Sequence, residues 1–173
     1  MSEYKFKTKP YDHQLKALEK SWDKEYYGLF MEMGTGKSKV LIDEIASLYM
    51  RGKITAALIV APKGVYRNWE KGEIPTHMPD EIPLHVAAWK APSEMTIQDK
   101  KDLKEILIPN GRLRILLMNV EAFSGTKGSK FAAQFLHKSN TLMSIDESTT
   151  IKTPSAARTK NVLKIGKLAK YRR

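Results

Sequence analysis

The strongest pattern in this chain is the stretch Met31-Glu32-Met33-Gly34-Thr35-Gly36-Lys37-Ser38. Its two glycines, Gly34 and Gly36, permit a tight turn whose backbone N–H groups point inward, where a Cβ would obstruct them. A lysine and a hydroxyl residue follow at once, and these side chains suit the β- and γ-phosphates of a nucleotide and its Mg²⁺ ion. The stretch therefore predicts a phosphate-binding loop.

The segments on either side of this loop agree with that interpretation. Before it, the apolar run 27–31 predicts a buried strand. After it, residues 39–49 place apolar side chains at near-helical spacing, so a helix should begin here and direct its N-terminal dipole at the phosphates. One position differs from the general consensus for such loops, which has glycine where this chain has Met31.

A second pattern lies far along the chain, where the predicted strand 141–146 ends in Asp146 and is followed by Glu147. Two neighbouring carboxylates at the end of a buried strand are costly without a cation. We expect Asp146 to hold Mg²⁺ together with Ser38, and Glu147 to orient and polarise an attacking water molecule. The predicted catalytic residues are therefore Lys37, Asp146 and Glu147.

Composition limits the kind of protein this chain can be. It has 173 residues, of which 42% are apolar, and this suits one globular domain. Cysteine is absent and the four histidines show no ligand spacing, which excludes disulfides and thiolate zinc sites. The 30 basic residues exceed the 19 acidic ones and give a net charge of +11, which favours a nucleic-acid partner over a merely solvated basic surface.

The sequence contains no segment that predicts a membrane or export signal. No apolar run approaches the roughly 18 residues of a membrane span, and residues 1–7 lack the apolar core of a signal peptide. We therefore expect an intracellular protein without a membrane partner. It would be cytoplasmic in a bacterial or phage-infected cell and nuclear in a eukaryote.

Apolar runs and helical patterns alternate along the whole chain. The predicted strands are 27–31, 54–61, 84–89, 113–118 and 141–146, the helices between them include 96–108 and 130–137, and loops are predicted at 72–82, 109–111 and 124–129. Several strands are continuous apolar runs, which is typical of a parallel sheet covered on both faces. Residues 1–173 thus predict a single α/β domain of the P-loop kind, doubly wound, with a mainly parallel sheet and helices on both faces.

A glutamine upstream of the loop is a candidate for recognising the nucleotide base. Gln14 lies in a predicted helix opened by residues 9–14, and its amide can accept from adenine N6 and donate to adenine N7. This would select ATP over GTP, with Tyr11 near enough to stack on the base. The alternative is that Gln14 is simply an exposed helix residue.

Three polar residues follow predicted strands and are candidates for contacts with nucleic-acid phosphates. Lys63 and Arg67 come after the strand 54–61, and Asn119 comes after the strand 113–118. Each has a simpler explanation, which is plain surface exposure for the two cations and a local Asx turn or helix N-cap for Asn119. Nearby Trp69 is assigned to the core.

Further motifs complete the set, and their order is informative. They are Pro10-Tyr11-Asp12-His13-Gln14, the phosphate loop, Val60-Ala61-Pro62-Lys63 with Asn68-Trp69, Asp146-Glu147-Ser148-Thr149, Ile151-Lys152-Thr153-Pro154 and Arg158-Thr159-Lys160. Together they resemble the first RecA-like domain of superfamily-two helicases, closest to Swi/Snf-type double-stranded DNA translocases. The resemblance extends from about residue 8 to about residue 165.

This resemblance implies an ATPase that uses ATP and Mg²⁺ to move along nucleic acid, with double-stranded DNA as the expected partner. It implies that Gln14 reads adenine, that residues 34–38 hold phosphates, and that Lys63 and Asn119 lie near the DNA. Swi/Snf-type members commonly carry a residue other than glycine at the position of Met31, so the resemblance accounts for that departure.

Two features depart from the family pattern. Ser148-Thr149 stand where the family often has Ala-His, which puts in doubt the coupling between the nucleotide and nucleic-acid sites. Such motors also need a second RecA-like lobe that supplies arginines to the transferred phosphate, and this sequence ends at Arg173. We therefore expect a truncated first lobe, or a natural fragment, that binds nucleotide and hydrolyses it poorly.

Two other functions agree with parts of the sequence. One is a P-loop NTPase or small-molecule kinase unrelated to nucleic acid, which the basic charge disfavours. The other is a non-catalytic nucleic-acid-binding module in which the nucleotide site is only structural.

Overall fold

Five parallel strands form the centre of the protein in a computed structural model that describes residues 4–147, 151 and 153–173. The strands are β1 (Ala56–Ala61), β2 (Leu84–Ala88), β3 (Leu113–Asn119), β4 (Thr141–Ile145) and β5 (Tyr171–Arg172). They lie in the order β2-β3-β1-β4-β5, and every pair is parallel. Such an order requires a crossover between successive strands, which the helices provide.

Seven α-helices are found in the described part of the chain. They are α1 (Asp12–Ser21), α2 (Lys37–Met50), α3 (Tyr66–Asn68), α4 (Ile74–His77), α5 (Ile97–Glu105), α6 (Thr126–His137) and α7 (Ala157–Gly166). A π-helical turn, Trp69–Glu73, joins α3 to α4, and a 3₁₀-helix, Val120–Ser124, follows β3. None of the described helices combines the length and apolar character that a membrane span requires.

Helices cover both faces of the sheet, as the sequence predicts for a doubly wound α/β domain. All six residues of β1 are buried, and successive side chains point to opposite faces. Ile59 belongs to the apolar cluster that contains α2 and α4, whereas Leu58 belongs to the cluster that contains α6 and α7. The continuous apolar strands of the sequence are thus explained by burial on two sides.

The register of the strands brings the predicted site residues to one edge of the sheet. Ala61 pairs with Asn119, and the amide of Asp146 donates to the carbonyl of Val60 over 2.7 Å. The carboxyl ends of β1, β3 and β4 therefore meet, and this is the edge at which open α/β sheets bind ligands.

The predicted strand 27–31 is wrong. Only Tyr26 forms a β-bridge, to Arg172, and the residues from there to the loop are irregular, with Phe30 98% exposed. The Tyr27 amide still donates to the Arg172 carbonyl over 3.1 Å, but the pairing goes no further, because the neighbouring β5 comprises only two residues. An apolar segment does not form a strand when no adjacent strand is present to hydrogen-bond with it.

Other boundaries also differ from the predictions. The predicted loop 72–82 contains the end of the π-helical turn and all of α4, and the predicted loop 124–129 overlaps the first residues of α6. Glycine and proline in these segments suggested loops, yet proline is tolerated in the first turn of a helix, and Pro75 occupies that position in α4. The remaining predicted strands and helices are present, with ends shifted by a few residues.

Candidate active site

The phosphate-loop stretch adopts the conformation that its glycines predict. Gly34 and Gly36 have φ angles of 77° and 78°, in the left-handed region that residues with a Cβ avoid. Gly36 is the N-cap of α2, so Lys37 and Ser38 are the first two residues of a 14-residue helix. The free N–H groups of its first turn and its dipole form an anion-binding end at the carboxyl edge of the sheet.

Two side chains of the loop donate hydrogen bonds to its own backbone carbonyls. Lys37 Nζ donates to the carbonyls of Met31 and Glu32, each over 3.0 Å, and Thr35 Oγ1 donates to the carbonyl of Glu32 over 2.7 Å. Met31 itself has no positive φ, since Glu147 is the one non-glycine residue with positive φ in the described chain. Glycine is therefore not needed at Met31, which explains the departure from the consensus.

Gln14 packs directly against the loop and is only 4% exposed. Its Nε2 donates to the carbonyl of Thr35 over 3.1 Å, and its Oε1 accepts from the Tyr11 amide over 3.0 Å. His13 Nε2 lies 2.9 Å from the same Thr35 carbonyl. The simpler expectation of an exposed helix residue is therefore wrong, and Gln14 links α1 to the turn at Gly36, where a Cβ would lie 2.3 Å from Gln14 Nε2.

Tyr11 presents an open aromatic ring beside this contact. It is 70% exposed and stacks on the His13 ring at a centroid distance of 5.8 Å and an interplanar angle of 12°. The outer face of this pair is available for a further planar group. Recognition of adenine by Gln14 and Tyr11 stays a prediction.

The two acids lie immediately after β4 and differ in their surroundings. Asp146 is half-buried, and its Oδ2 accepts a 3.2 Å hydrogen bond from Trp69 Nε1. Glu147 is exposed and has a φ of 54°, a conformation that costs an ordinary residue about 1–2 kcal/mol. Strain of this kind persists where the surrounding structure fixes it, and it is frequent at functional sites.

Two side chains have the donor chemistry that a magnesium ion shared with phosphate would need. No group of three or more acidic, histidine or cysteine side chains suited to a metal occurs among the residues that the structure describes. Mg²⁺ commonly takes one or two carboxylates and completes its coordination with substrate phosphates and water. The hydroxyl of Ser38 and the carboxylate of Asp146 are of the type that such a site requires.

Basic residues flank this edge of the sheet. Lys63 and Arg67 are exposed after β1, and Arg67 also lines a groove of about 320 Å³ together with Glu70, Lys71 and Lys90. We name this feature the basic groove. Its lining has three cations and one carboxylate, and Lys90 is also paired with Asp99 at 2.6 Å, so the groove keeps a small positive charge that suits an anion.

Asn119 makes the local contact that its simpler interpretation predicts. Its side chain accepts from the Ala122 amide over 2.8 Å and caps the 3₁₀-helix Val120–Ser124. A contact between Asn119 and a phosphate remains a prediction. The positions Ser148, Thr149 and Lys152 lie outside the described residues.

Several contacts at this edge do not follow from the sequence patterns. They are the buried amide of Gln14, the hydrogen bond from Trp69 to Asp146, and the contribution of Lys71 and Lys90 to the basic groove. The sequence carries a partial signal for Trp69, since a buried indole N–H needs an acceptor. It does not identify that acceptor, which lies 77 positions away.

The chain is similar to a solved structure of the Sulfolobus solfataricus SWI2/SNF2 ATPase core in complex with dsDNA, with a TM-score of 0.70 and 20% sequence identity. The match covers 99% of this chain and 32% of that chain, so this chain spans about a third of its length. No family model matches the sequence, and no curated protein matches it. The likeness establishes the fold alone, a parallel α/β domain that this chain shares with that ATPase core.

Proposed function

We propose that this chain is the ATP-binding motor lobe of a nucleic-acid-dependent ATPase, a DNA helicase or double-stranded DNA translocase. The observation that carries the proposal is the phosphate loop, with Gly36 in the left-handed conformation at the N-cap of α2. Asp146 and Glu147 lie at the same carboxyl edge, and the likeness to an ATPase core solved with dsDNA adds support.

The loop residues would bind the nucleotide through its phosphates. Backbone N–H groups at the start of α2 and the ammonium of Lys37 would oppose the phosphate charge, and Ser38 belongs to the same first turn of α2. Lys37 would exchange its two loop carbonyls for phosphate oxygens, since an ammonium binds a charged acceptor more strongly than a neutral one. Gln14 and Tyr11 would receive the adenine.

The acids would serve the hydrolytic step. Asp146 and Ser38 would hold Mg²⁺, which neutralises phosphate charge in such sites. Glu147 would accept a hydrogen bond from the attacking water and orient it. Glu147 is exposed and lies two residues beyond the end of β4, with a backbone φ of 54°.

Nucleic acid would bind beside the nucleotide at the same edge. Lys63 and Arg67 would offer charge to the phosphodiester backbone, and Asn119 is the last residue of the adjacent strand β3. The net charge of +11 supports this assignment, and double-stranded DNA is the expected form. We further propose that full turnover needs arginines from a second RecA-like lobe.

Binding of ATP tests the nucleotide site. Lys37→Ala should lower ATP affinity by at least about tenfold in isothermal titration, because it removes the one side-chain cation at the loop. Lys53→Ala, which removes an exposed lysine beyond the far end of α2, should bind ATP like the parent. Equal ATP affinity in the parent and Lys37→Ala would disprove the phosphate-loop assignment.

Nucleic-acid dependence tests the motor function. The rate of ATP hydrolysis should rise when duplex DNA is added to a protein that contains this chain and a second RecA-like lobe. Single-stranded DNA and RNA serve as comparison ligands. If none of the three nucleic acids changes the hydrolysis rate, the motor function is contradicted, and the protein would be an NTPase unrelated to nucleic acid.

A further inference from the structure

A buried indole joins two parts of the carboxyl edge that are distant in sequence. Trp69 is 2% exposed, and its Nε1 donates a 3.2 Å hydrogen bond to Asp146 Oδ2. Because an indole N–H donates and never accepts, this bond fixes which carboxylate oxygen faces the core. The other oxygen of Asp146 is thereby directed away from Trp69.

The backbone that carries Trp69 is unusual. Trp69 is the first residue of the π-helical turn Trp69–Glu73, which lies between α3 and α4. Such turns are rare and frequently occur at functional sites. The indole itself packs in the same apolar cluster as Ala61 and Ile74, which holds the ring in the core. A movement of the turn would therefore move the N–H that contacts Asp146.

The opposite side of the same turn forms part of the basic groove. Arg67 and Lys71 lie two residues before and two residues after Trp69, and both line the groove. Lys90 contributes from the end of β2 and forms an ion pair with Asp99 at 2.6 Å. Because Lys90 is paired with Asp99, Arg67 and Lys71 are the two cations of the groove that we assign to the phosphates of a nucleic-acid backbone.

We propose that Trp69 is a positioning residue that holds the Asp146 carboxylate in the orientation that binds Mg²⁺. Through Trp69, this orientation would also depend on nucleic acid bound in the basic groove. The proposal rests on the proposed function, because it takes Asp146 as a metal ligand and the groove as a nucleic-acid site. Phosphates bound by Arg67 and Lys71 would immobilise the turn between them. The indole N–H would then hold the carboxylate more firmly in its metal-binding orientation.

Metal affinity provides a readout that does not depend on turnover. The assay uses the full chain, a non-hydrolysable ATP analogue, and Mn²⁺ detected by electron paramagnetic resonance. Trp69→Phe keeps an aromatic ring in the core and removes the N–H, and it should weaken Mn²⁺ binding about tenfold. Trp22→Phe is the control, since that indole contacts Arg51 at the far end of α2, and it should leave Mn²⁺ affinity unchanged.

A double-mutant cycle separates a role through Asp146 from a general loss of structure. Asp146→Asn should weaken Mn²⁺ binding, and adding Trp69→Phe should then have little further effect. Additive losses would overturn the proposal, because Trp69 would be acting on the metal by another route.

Duplex DNA tests the second half of the proposal. In the parent, a short duplex should tighten Mn²⁺ binding about fivefold, and Mn²⁺ should tighten duplex binding by the same factor, since coupling is reciprocal. Trp69→Phe should keep the duplex affinity measured without metal and lose this mutual effect. Unchanged coupling in Trp69→Phe would overturn the proposal.

Fluorescence gives a test with Trp69 intact, in case Trp69→Phe fails to fold. In the variant Trp22→Phe/Trp89→Phe, Trp69 is the remaining indole, and adding Mg²⁺ with the ATP analogue should shift its emission. No shift, with the analogue and metal bound, would contradict the contact. A parent chain that binds neither the analogue nor duplex DNA would instead contradict the proposed function itself.

Discussion

Two glycines of the phosphate loop have the same backbone conformation and different surroundings. Gly34 and Gly36 have φ angles of 77° and 78°, yet a Cβ at Gly34 would meet nothing within 4 Å. A Cβ at Gly36 would lie 2.3 Å from Gln14 Nε2. Only Gly36 therefore combines backbone strain with a steric constraint from another element.

Alanine substitutions should separate these two effects. Gly34→Ala should lower the free energy of unfolding by about 1 kcal/mol through backbone strain alone. Gly36→Ala should cost more and should also lower ATP affinity by about tenfold, because it displaces Gln14 from the Thr35 carbonyl. Chemical unfolding and ATP titration measure the two quantities. Indistinguishable variants would show that the contact with Gln14 is unimportant.

The strained backbone of Glu147 makes a further prediction at this scale. Glu147→Gly should be about 1 kcal/mol more stable to chemical unfolding than Glu147→Ala, because glycine adopts a φ of 54° without a Cβ penalty. Both variants lack the Glu147 carboxylate, so the difference in stability between them reports the backbone strain alone. Both should also lose ATP hydrolysis. The prediction fails if alanine is the more stable replacement.

At the scale of elements, the short strand β5 is tied to the helix that follows the phosphate loop. Arg173, directly after β5, binds the carboxylate of Glu44 on α2, with Nε 2.9 Å from both oxygens and Nη2 2.5 Å from Oε1. Both side chains are at most 1% exposed. The guanidinium also donates to the carbonyls of Ser21 and Lys24, so one residue joins three elements.

Breaking this ion pair should be costly. Arg173→Met should lower the free energy of unfolding by about 3–5 kcal/mol, because it leaves the Glu44 carboxylate buried without its partner. The double variant Arg173→Met/Glu44→Leu should recover about 2 kcal/mol of that loss, since it removes the unpaired charge. Thermal or urea unfolding measures both. A double variant less stable than Arg173→Met would contradict this account.

The same region explains why the predicted strand 27–31 does not form. Residues 27–31 are apolar enough for a strand, but β5 offers two residues and a single bridge to Tyr26. Strands depend on hydrogen bonds to a neighbour, whereas the helix α2 satisfies its own backbone. This is why the spacing of apolar residues correctly predicted α2, whereas the apolar run 27–31 did not form the predicted strand.

At the scale of the whole molecule, charge and topology act together. The net charge of +11 is distributed over a fold whose carboxyl edge carries both the phosphate loop and the exposed cations Lys63 and Arg67. Nucleic acid attracted by the overall charge would therefore meet these cations beside the acids. On the proposed function, the two ligands would therefore lie at adjoining positions.

The salt dependence of DNA binding should report these contacts. Affinity for duplex DNA should fall linearly on a log–log plot against salt concentration, and Lys63→Gln and Arg67→Gln should each reduce the slope by about 1. Lys53→Gln, at the opposite edge of the sheet, is the matched control and should keep the parent slope. Equal slopes for all variants would place the DNA elsewhere on the protein.

The sequence by itself determined the tight turn at Gly34 and Gly36, the helix after it, the position of the paired acids after a strand, and four of the five strands that it predicted, because these depend on local backbone freedom and on periodic burial. The tertiary structure decided the buried contact of Gln14 with Thr35, the hydrogen bond from Trp69 to Asp146, and the pairing of Arg173 with Glu44. Each of these joins residues that are distant along the chain. Their partners are fixed only when packing makes particular elements neighbours, and no local pattern contains that information.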